Sequence, residues 1–205
     1  SSAAVTIRTA GTSSGGDAAG DVLTNIELIL GSAFADRFEG RNADEDFTGG
    51  AGDDVFIVSG GADVYRGGTG IDTVDYSSSL SNGMKIYMDG SFGTGGDAAG
   101  DRLFEIELVI GSAQGDEITA SSLGATIQSG AGNDLLYGGD GVDILDGGAG
   151  DDNIVSGLGA DQLIGGTGTD AADYRNSTAG VTISNNGTAG VGGWAQGDTL
   201  SGIER

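Results

Sequence analysis

A nine-residue repeat constrains this chain more than any other feature of its sequence. When residues 31–76 and 111–174 are written in rows of nine, the eighth column is apolar in all twelve rows and the sixth is acidic in eleven. The acidic column holds Asp36, Glu45, Asp54, Asp63, Asp72, Asp116, Asp134, Asp143, Asp152, Asp161 and Asp170. A nine-residue period does not match the 3.6-residue turn of an α-helix, so the apolar column would drift around a helix. The rows therefore predict short strands joined by glycine-rich turns.

Strands this short can be buried only if the rows stack on one another. We expect two rows to form one coil of 18 residues, with alternate rows in two parallel sheets and coils about 4.8 Å apart. Phe38, Phe56 and Val74 are then expected in one sheet, and Phe47 and Tyr65 in the opposite one. The predicted fold class is all-β, a parallel β-roll or β-helix solenoid.

A longer repeat divides the chain. "GGDAAGDVLTNIELILGSA" at 15–33 recurs as "GGDAAGDRLFEIELVIGSA" at 95–113, and "DYSSS" at 75–79 recurs as "DYRNS" at 173–177. The two spacings differ by 18 residues, one whole coil, as expected for a solenoid that grows in complete coils. We predict two roll blocks joined by β-hairpin-like capping segments, in what is a piece of a longer array. The predicted units are a capping segment 1–30, a first roll block 31–76, a connecting segment 77–110, a second roll block 111–174 and a partial third connecting segment 175–205.

Composition limits the possible functions. The chain has 31 acids against 8 bases, a net charge of −23, and 24 of the acids are Asp. Such acidity disfavours nucleic acids and anionic membranes as partners, and no stretch has the apolar length of a membrane span, so we predict neither nucleic-acid binding nor membrane insertion. With no His and no Cys, the chain lacks triads, thiol nucleophiles and the usual zinc ligands, and we predict that it is not an enzyme. A pair of glycosidase carboxylates stays open, although the repeat register already accounts for the acids.

Several rows carry a family resemblance. They are "GGAGDDVFI" (49–57), "GGDGVDILD" (138–146), "GGAGDDNIV" (147–155) and "GGTGTDAAD" (165–173). These rows resemble the hemolysin-type calcium-binding repeats, the glycine-rich nonapeptides of the RTX family. Carboxylate and carbonyl oxygens at flexible geometry suit Ca²⁺, whereas Mg²⁺ demands a tighter octahedron. We therefore expect several Ca²⁺ ions, about four to six, as cofactors.

The resemblance implies calcium sites shared by successive coils. One bend supplies the carbonyls of its second and fourth residues and its Asp, and the bend one coil later supplies the carbonyls of its first and third residues and its Asp. Carried over to this chain, the first site joins Gly130, Gly132 and Asp134 to Gly147, Ala149 and Asp152, and the second joins Gly139, Gly141 and Asp143 to Ser156, Leu158 and Asp161. The third joins Gly148, Gly150 and Asp152 to Gly165, Thr167 and Asp170, and the fourth joins Gly50, Gly52 and Asp54 to Gly67, Thr69 and Asp72.

Some bends depart from the repeat and are poorer candidates. Usual glycines are replaced in bends 31–36 and 111–116, and Arg41 and Glu45 disturb the bend between them. The acids affected are Asp36, Asp116 and Asp63. Ala125 stands in the acidic column, so we expect no ion in its slot. A lone Asp is usually a turn residue that bonds to local backbone, but the fixed spacing of the column favours ligands. For the acids of the "GGDAAGD" loops, a turn or solvated role is favoured over an additional ion: Asp17, Asp21, Asp97 and Asp101.

These observations predict a calcium-binding repeat module of a larger bacterial protein of the surface-layer, adhesin or matrix type. The resemblance implies type I secretion and folding on Ca²⁺ outside the cell, so the expected location is extracellular or at the cell surface. Expected partners beyond calcium are neighbouring modules or copies, or surface polysaccharide. Two alternatives stay open. One is the repeat region of a secreted lipase, protease or polysaccharide-modifying enzyme, and the other is a carbohydrate-binding module in which Trp194 and Tyr87 stack on sugars.

Overall fold

The computed structural model describes all of residues 1–205, and its regular elements are short β-strands. Eighteen strands are present together with three single 3-10 turns at Gly16–Ala18, Gly96–Ala98 and Gly193–Ala195. Every pairing between the strands is parallel. No helix has the length and apolar character needed to cross a bilayer. The predicted all-β, parallel class is confirmed.

One nine-stranded sheet, the long sheet, runs along the whole molecule. Its strands are β1 (Thr6–Arg8), β3 (Arg37–Glu39), β5 (Val55–Ile57), β7 (Thr73–Asp75), β10 (Leu108–Ile110), β12 (Thr126–Gln128), β14 (Ile144–Asp146), β16 (Gln162–Ile164) and β18 (Thr199–Ser201). The opposite face consists of two shorter sheets in succession. The first contains β2 (Leu28–Leu30), β4 (Asp46–Ala51), β6 (Val64–Thr69) and β9 (Arg102–Phe104), and the second contains β8 (Lys85–Tyr87), β11 (Glu117–Thr119), β13 (Leu135–Tyr137), β15 (Asn153–Val155) and β17 (Ala171–Ala172).

Strand partners within the blocks lie one coil apart, which confirms the coil of two rows. Phe38 pairs with Phe56 and Phe56 with Val74 in the long sheet, whereas Phe47 pairs with Tyr65 on the opposite face. The Phe38 and Phe56 rings stack with centroids 4.9 Å apart, and the Phe47 and Tyr65 rings with centroids 5.7 Å apart. All five side chains are buried in one apolar cluster between the two faces. The eighth column is therefore the core, with alternate rows on opposite faces as predicted.

The connecting segment between β7 and β10 forms one wide coil. It contributes two strands to the face opposite the long sheet: β9 pairs back with β6, and β8 pairs forward with β11. A hairpin-like antiparallel bridge joins Lys85 to Thr94 between them, and Thr182 bridges Val191 in the third connecting segment. β10 then inserts between β7 and β12, so the long sheet passes through the joint without a break. The two blocks are parts of one continuous roll.

Candidate metal centre

Each acid of the repeat lies one residue before a strand, at the end of a glycine-rich bend. Stacking of the coils therefore places the acids above one another in two rows, which we name the acid columns. The column beside the long sheet contains Asp36, Asp54, Asp72, Glu107, Asp143, Asp161 and Asp198. The column on the opposite face contains Glu45, Asp63, Asp101, Asp116, Asp134, Asp152, Asp170 and Glu204. Every Asp in both columns is buried.

A ladder of hydrogen bonds links successive acids. The N–H of Asp54 donates to Asp72 Oδ1 at 2.8 Å, and the N–H of Asp134 donates to Asp152 Oδ1 at 2.8 Å. The same bond runs from Asp36 to Asp54, from Asp116 to Asp134, from Asp143 to Asp161 and from Asp152 to Asp170. One carboxylate oxygen of each receiving acid is thus satisfied by the preceding coil.

The second oxygen of seven carboxylates has no hydrogen-bond partner and is shielded from solvent. These atoms are Oδ2 of Asp54, Asp72, Asp134, Asp143, Asp152, Asp161 and Asp170. Buried polar atoms in folded proteins nearly always have a partner, and burying a carboxylate oxygen without one is costly. Seven such atoms in register indicate positions that require a cation.

Burial and mutual repulsion raise the pKa values of these acids. Loss of solvation raises the pKa of Asp54, Asp134 and Asp143 to about 7, and the charge of the acid one coil further on adds to the rise. The pKa of Asp152 and Asp161 rises to about 6 for the same two reasons. Negative charge is therefore poorly tolerated here without a counter-ion, and a bound divalent cation favours the ionised form.

The bends that carry the predicted carbonyl ligands touch one another across successive coils. The Ala149 N–H donates to Gly130 O at 3.0 Å, and the Gly132 N–H donates to Ala149 O at 2.8 Å. Equivalent pairs of bonds, both 2.8 Å long, join Thr167 to Gly148 and Gly150. Each accepting carbonyl has a second lone pair that these bonds leave free. The backbone thus brings together the carbonyl oxygens assigned to the first and third sites.

Carboxylate and carbonyl oxygens converge on the same points. A Cβ on Gly49 would overlap Asp54 Oδ2 and lie 2.8 Å from Gly67 O, two ligands of the fourth predicted site. A Cβ on Gly138 would overlap Ser156 O and lie 2.8 Å from Asp143 Oδ2, two ligands of the second site. In both bends, the unpartnered carboxylate oxygen and the first carbonyl oxygen of the bend one coil later point towards the same position.

The remaining predicted ligands lie in the same bends. Gly139 O accepts the Leu158 N–H at 2.7 Å, Gly147 O accepts Ser129 Oγ at 2.7 Å, and Thr69 O accepts the Gly52 N–H at 2.9 Å. Gly50 lies beside Gly68 in the pairing of β4 with β6. A Cβ on Gly159 would overlap Gly141 O, and one on Gly165 would overlap Gly202 O and approach Asp170 Oδ2.

In bends 31–36 and 111–116, where usual glycines are replaced, serine supplies donors to the acid. The Ser32 N–H and Oγ donate to Asp36 at 2.5 and 2.9 Å, and the Val5 N–H donates to its Oδ1 at 2.7 Å. The Ser112 N–H and Oγ both donate to Asp116 Oδ2 at 2.9 Å, while Asp116 Oδ1 has no partner. Both oxygens of Asp36 are therefore hydrogen-bonded, whereas Asp116 keeps one oxygen free.

At the other bends that depart from the repeat, the acids have hydrogen-bond partners within the chain. The Tyr65 hydroxyl donates to Asp63 Oδ2 at 3.0 Å, and the Arg41 N–H donates to Glu45 Oε2 at 2.9 Å. At Ala125 the column lacks a carboxylate, and the Ala125 N–H donates to Asp143 Oδ1 at 2.7 Å. None of these three positions offers the pair of free acid oxygens found in the glycine-rich bends.

Sequence reasoning missed two buried members of the columns. Asp101 accepts the Asp63 N–H and the Tyr76 hydroxyl, both at 2.9 Å, although a turn or solvated role was favoured for it. Asp198 likewise accepts the Asp161 N–H at 2.9 Å and the Tyr174 hydroxyl at 2.8 Å. The signal was present, because "DRL" at 101–103 and "DTL" at 198–200 repeat the order of acid, any residue and apolar residue seen in eleven of the twelve rows.

The donor set suits a hard cation held partly by backbone. No group of three acidic side chains converges in the structure, so an ion here would take two carboxylates and complete its shell with carbonyls. Oxygen ligands of this mixed kind, six to eight at flexible geometry, are those Ca²⁺ prefers. The absence of His and Cys leaves no imidazole or thiolate ligands for softer metals. The residues present therefore fit calcium.

Comparison with known protein families finds the RTX calcium-binding nonapeptide repeat in four copies, at residues 25–56, 39–74, 119–154 and 137–172. The copies overlap within each block and together cover just over half of the chain. They include every bend with an unpartnered Oδ2. No curated protein matches the chain.

Proposed function

Because this chain belongs to the RTX calcium-binding nonapeptide repeat family, we propose that its calcium-binding repeats make folding conditional on the calcium found outside the cell. The chain would then serve as a module of a larger secreted or cell-surface bacterial protein of the surface-layer, adhesin or matrix type. The proposed calcium-binding units are the blocks 31–76 and 111–174, with Asp–Asp pairs as the anchors of each ion.

The set of seven buried carboxylate oxygens without partners carries this proposal. A fold that buries these atoms is incomplete until a cation reaches them, since each carboxylate has one hydrogen-bonded oxygen while its other oxygen is buried with neither a hydrogen bond nor a counter-ion. When bound, Ca²⁺ supplies two positive charges and accepts oxygen ligands from both bends. The bends supply the rest: glycines let successive coils approach, and the ladder holds each Asp with one oxygen free.

Binding energy at these sites is large enough to control folding. An ion that binds only the folded state stabilises it by RT ln(1 + [L]/Kd), about 1.4 kcal/mol per site at ten times Kd. Four sites would together give about 6 kcal/mol, which is comparable to the net stability of a typical domain. Extracellular calcium modules typically bind in the range of about 0.1–1 mM, so the low calcium of the cytoplasm would leave the chain unfolded for export.

Circular dichroism during a calcium titration tests the proposal. We expect the calcium-free chain to lack the strand signal at neutral pH and to gain it cooperatively as Ca²⁺ is added, with loss again on chelation. Mg²⁺ at the same concentrations is the control and should not replace Ca²⁺. A chain that is fully folded without calcium and unchanged by its addition would overturn the proposal.

A further inference from the structure

The joint between the two blocks contains a turn that takes the place of a repeat bend. The turn is formed by residues 104–107 of the connecting segment and stacks on bend 67–72. Glu107 Oε2 accepts the Asp72 N–H at 2.9 Å, the bond that an aspartate accepts elsewhere in the column. The Glu107 N–H donates to Asp72 O at 3.2 Å in return. The connecting segment thus continues the acid column through the joint.

A carbonyl of this turn occupies the place of a repeat ligand. A Cβ on Gly67 would overlap both Glu105 O and Asp72 Oδ2, so these two oxygens face the same point. Within the first block, Gly67 O faces Asp54 Oδ2 in the same manner. Glu105 has a φ of 54°, a left-handed conformation that is uncommon for glutamate. The turn therefore holds a specific backbone geometry that its own residue type does not favour.

Asp72 supplies the observation that points to a ligand. Its side chain is 0% exposed, its Oδ1 accepts the Asp54 N–H, and its Oδ2 has no partner. The ion pairs that the basic residues form leave out Asp72, Glu105 and Glu107. The Asp72 and Glu107 carboxylates therefore lie at the joint without an ion pair, and Arg66, which lines the same cavity as Glu107, pairs with Asp46 instead.

The same turn recurs in the third connecting segment, so the geometry belongs to the motif and not to one location. Glu204 Oε2 accepts the Asp170 N–H at 2.9 Å, and a Cβ on Gly165 would overlap Gly202 O. Gly202 has a φ of 63°, close to that of Glu105. In the first connecting segment the equivalent glutamate, Glu27, has no acid-column residue before it and forms an ion pair with Arg41 at 3.6 Å.

We propose that the joint binds a calcium ion of its own, held by Asp72 Oδ2, the Glu107 carboxylate and the Glu105 carbonyl. This inference rests on the proposed calcium-dependent folding and adds a site outside the nonapeptide repeats, since Glu105 and Glu107 lie beyond the matched ranges. Asp72 Oδ2 faces the joint, and Oδ1 keeps a lone pair beyond its bond with the Asp54 N–H for the fourth predicted site, so one carboxylate serves both neighbouring sites. The ion fastens the first block to the connecting segment.

Calcium stoichiometry of the full chain tests the site. We expect Glu107→Gln to bind one Ca²⁺ fewer than the wild type in equilibrium dialysis, because the amide carries no charge while its oxygen still accepts the Asp72 N–H. Asp89→Asn is the matched control, since Asp89 is an exposed acid of the same segment that bonds only to the Ser91 N–H, and it should leave the count unchanged.

The outcomes separate the two proposals. No calcium binding by the wild type would overturn the proposed function, whereas normal binding with an unchanged count in Glu107→Gln would overturn the joint site alone. If Glu107→Gln does not fold in calcium, anomalous diffraction from wild-type crystals grown with Ca²⁺ decides the question. A peak within about 2.3–2.6 Å of Asp72 Oδ2 and Glu107 supports the site, and its absence beside occupied repeat sites rejects it.

Discussion

At the scale of single residues, the acids of one column differ in what satisfies them. In the glycine-rich bends one oxygen of each Asp stays free for an ion, whereas at three positions a tyrosine hydroxyl occupies it. The tyrosine–acid pairs are Tyr65 with Asp63, Tyr76 with Asp101 and Tyr174 with Asp198. Tyrosine thus replaces calcium as the partner of a buried carboxylate, and two of these pairs lie where a connecting segment rejoins the roll.

Removing one such hydroxyl should destabilise the calcium-loaded protein. Tyr76→Phe keeps the ring in the core but leaves Asp101 Oδ2 buried without a donor, which costs about 1–3 kcal/mol. Chemical unfolding in saturating calcium measures the change. Tyr137→Phe is the control, because the Tyr137 hydroxyl makes no hydrogen bond within the chain, and equal stabilities of the two variants would contradict the role given to Tyr76.

At the scale of elements, the close stacking of bends explains the glycine content of the repeat. Gly150 has a φ of 132°, and a Cβ there would overlap Gly132 O of the preceding coil. Gly139 also has a positive φ, 82°, but a Cβ there would meet no atom within 4 Å. The two glycines therefore serve different needs: Gly150 permits both the backbone conformation and the approach of the coils, and Gly139 only the conformation.

Alanine substitutions should separate these two needs. Gly139→Ala carries only the cost of a left-handed alanine, about 1–2 kcal/mol, whereas Gly150→Ala must also push two coils apart and should lose more. Thermal unfolding in saturating calcium gives the comparison. A Gly150→Ala protein at least as stable as Gly139→Ala would show that the bends are not packed as closely as described.

The repeat made the strands of the two blocks predictable from the sequence, whereas the strand pairing at the joint was not predictable in this way. Phe38 and Phe47 fall on opposite faces because a fixed row length leaves one way to stack a single apolar residue per strand. The wide coil has no such constraint, since β8 and β9 select partners on opposite sides of the joint. Asp101 and Glu107 were therefore not placed in the columns, although both precede alternating strands. Only their contacts in the folded structure show that these two acids continue the acid columns of the repeat.

At the scale of the whole molecule, the buried acids make stability depend on pH. In the folded calcium-free state, burial raises the pKa of Asp54, Asp134 and Asp143 to about 7, against an ordinary 3.8 in the unfolded chain. Between these values the folded state binds more protons than the unfolded state, so stability falls as pH rises through the window. The contribution is complete below about pH 4 and lost above about pH 7.

The calcium-free chain should therefore be more stable at pH 5 than at pH 8. The strand signal in circular dichroism, recorded from pH 8 down to pH 5 after removal of calcium by dialysis, measures this difference as a gain of folded chain at the lower pH. The calcium-loaded chain in the same buffers is the control and should show the opposite trend, because protons compete with Ca²⁺ for the carboxylates. Greater stability of the calcium-free chain at pH 8 would mean that the acids are not buried as described.

The continuity of the long sheet also has a mechanical consequence. The first strand of the chain lies at one end of that sheet and the last strand at the other, and each strand bonds only to its immediate neighbours. Tension between the two ends therefore passes through every coil in series, with no contact that bypasses any of them. A coil of 18 residues that opens releases about 60 Å of chain. A roll of this kind would lengthen coil by coil under load, and ions bound in its bends would set the load at which each coil opens.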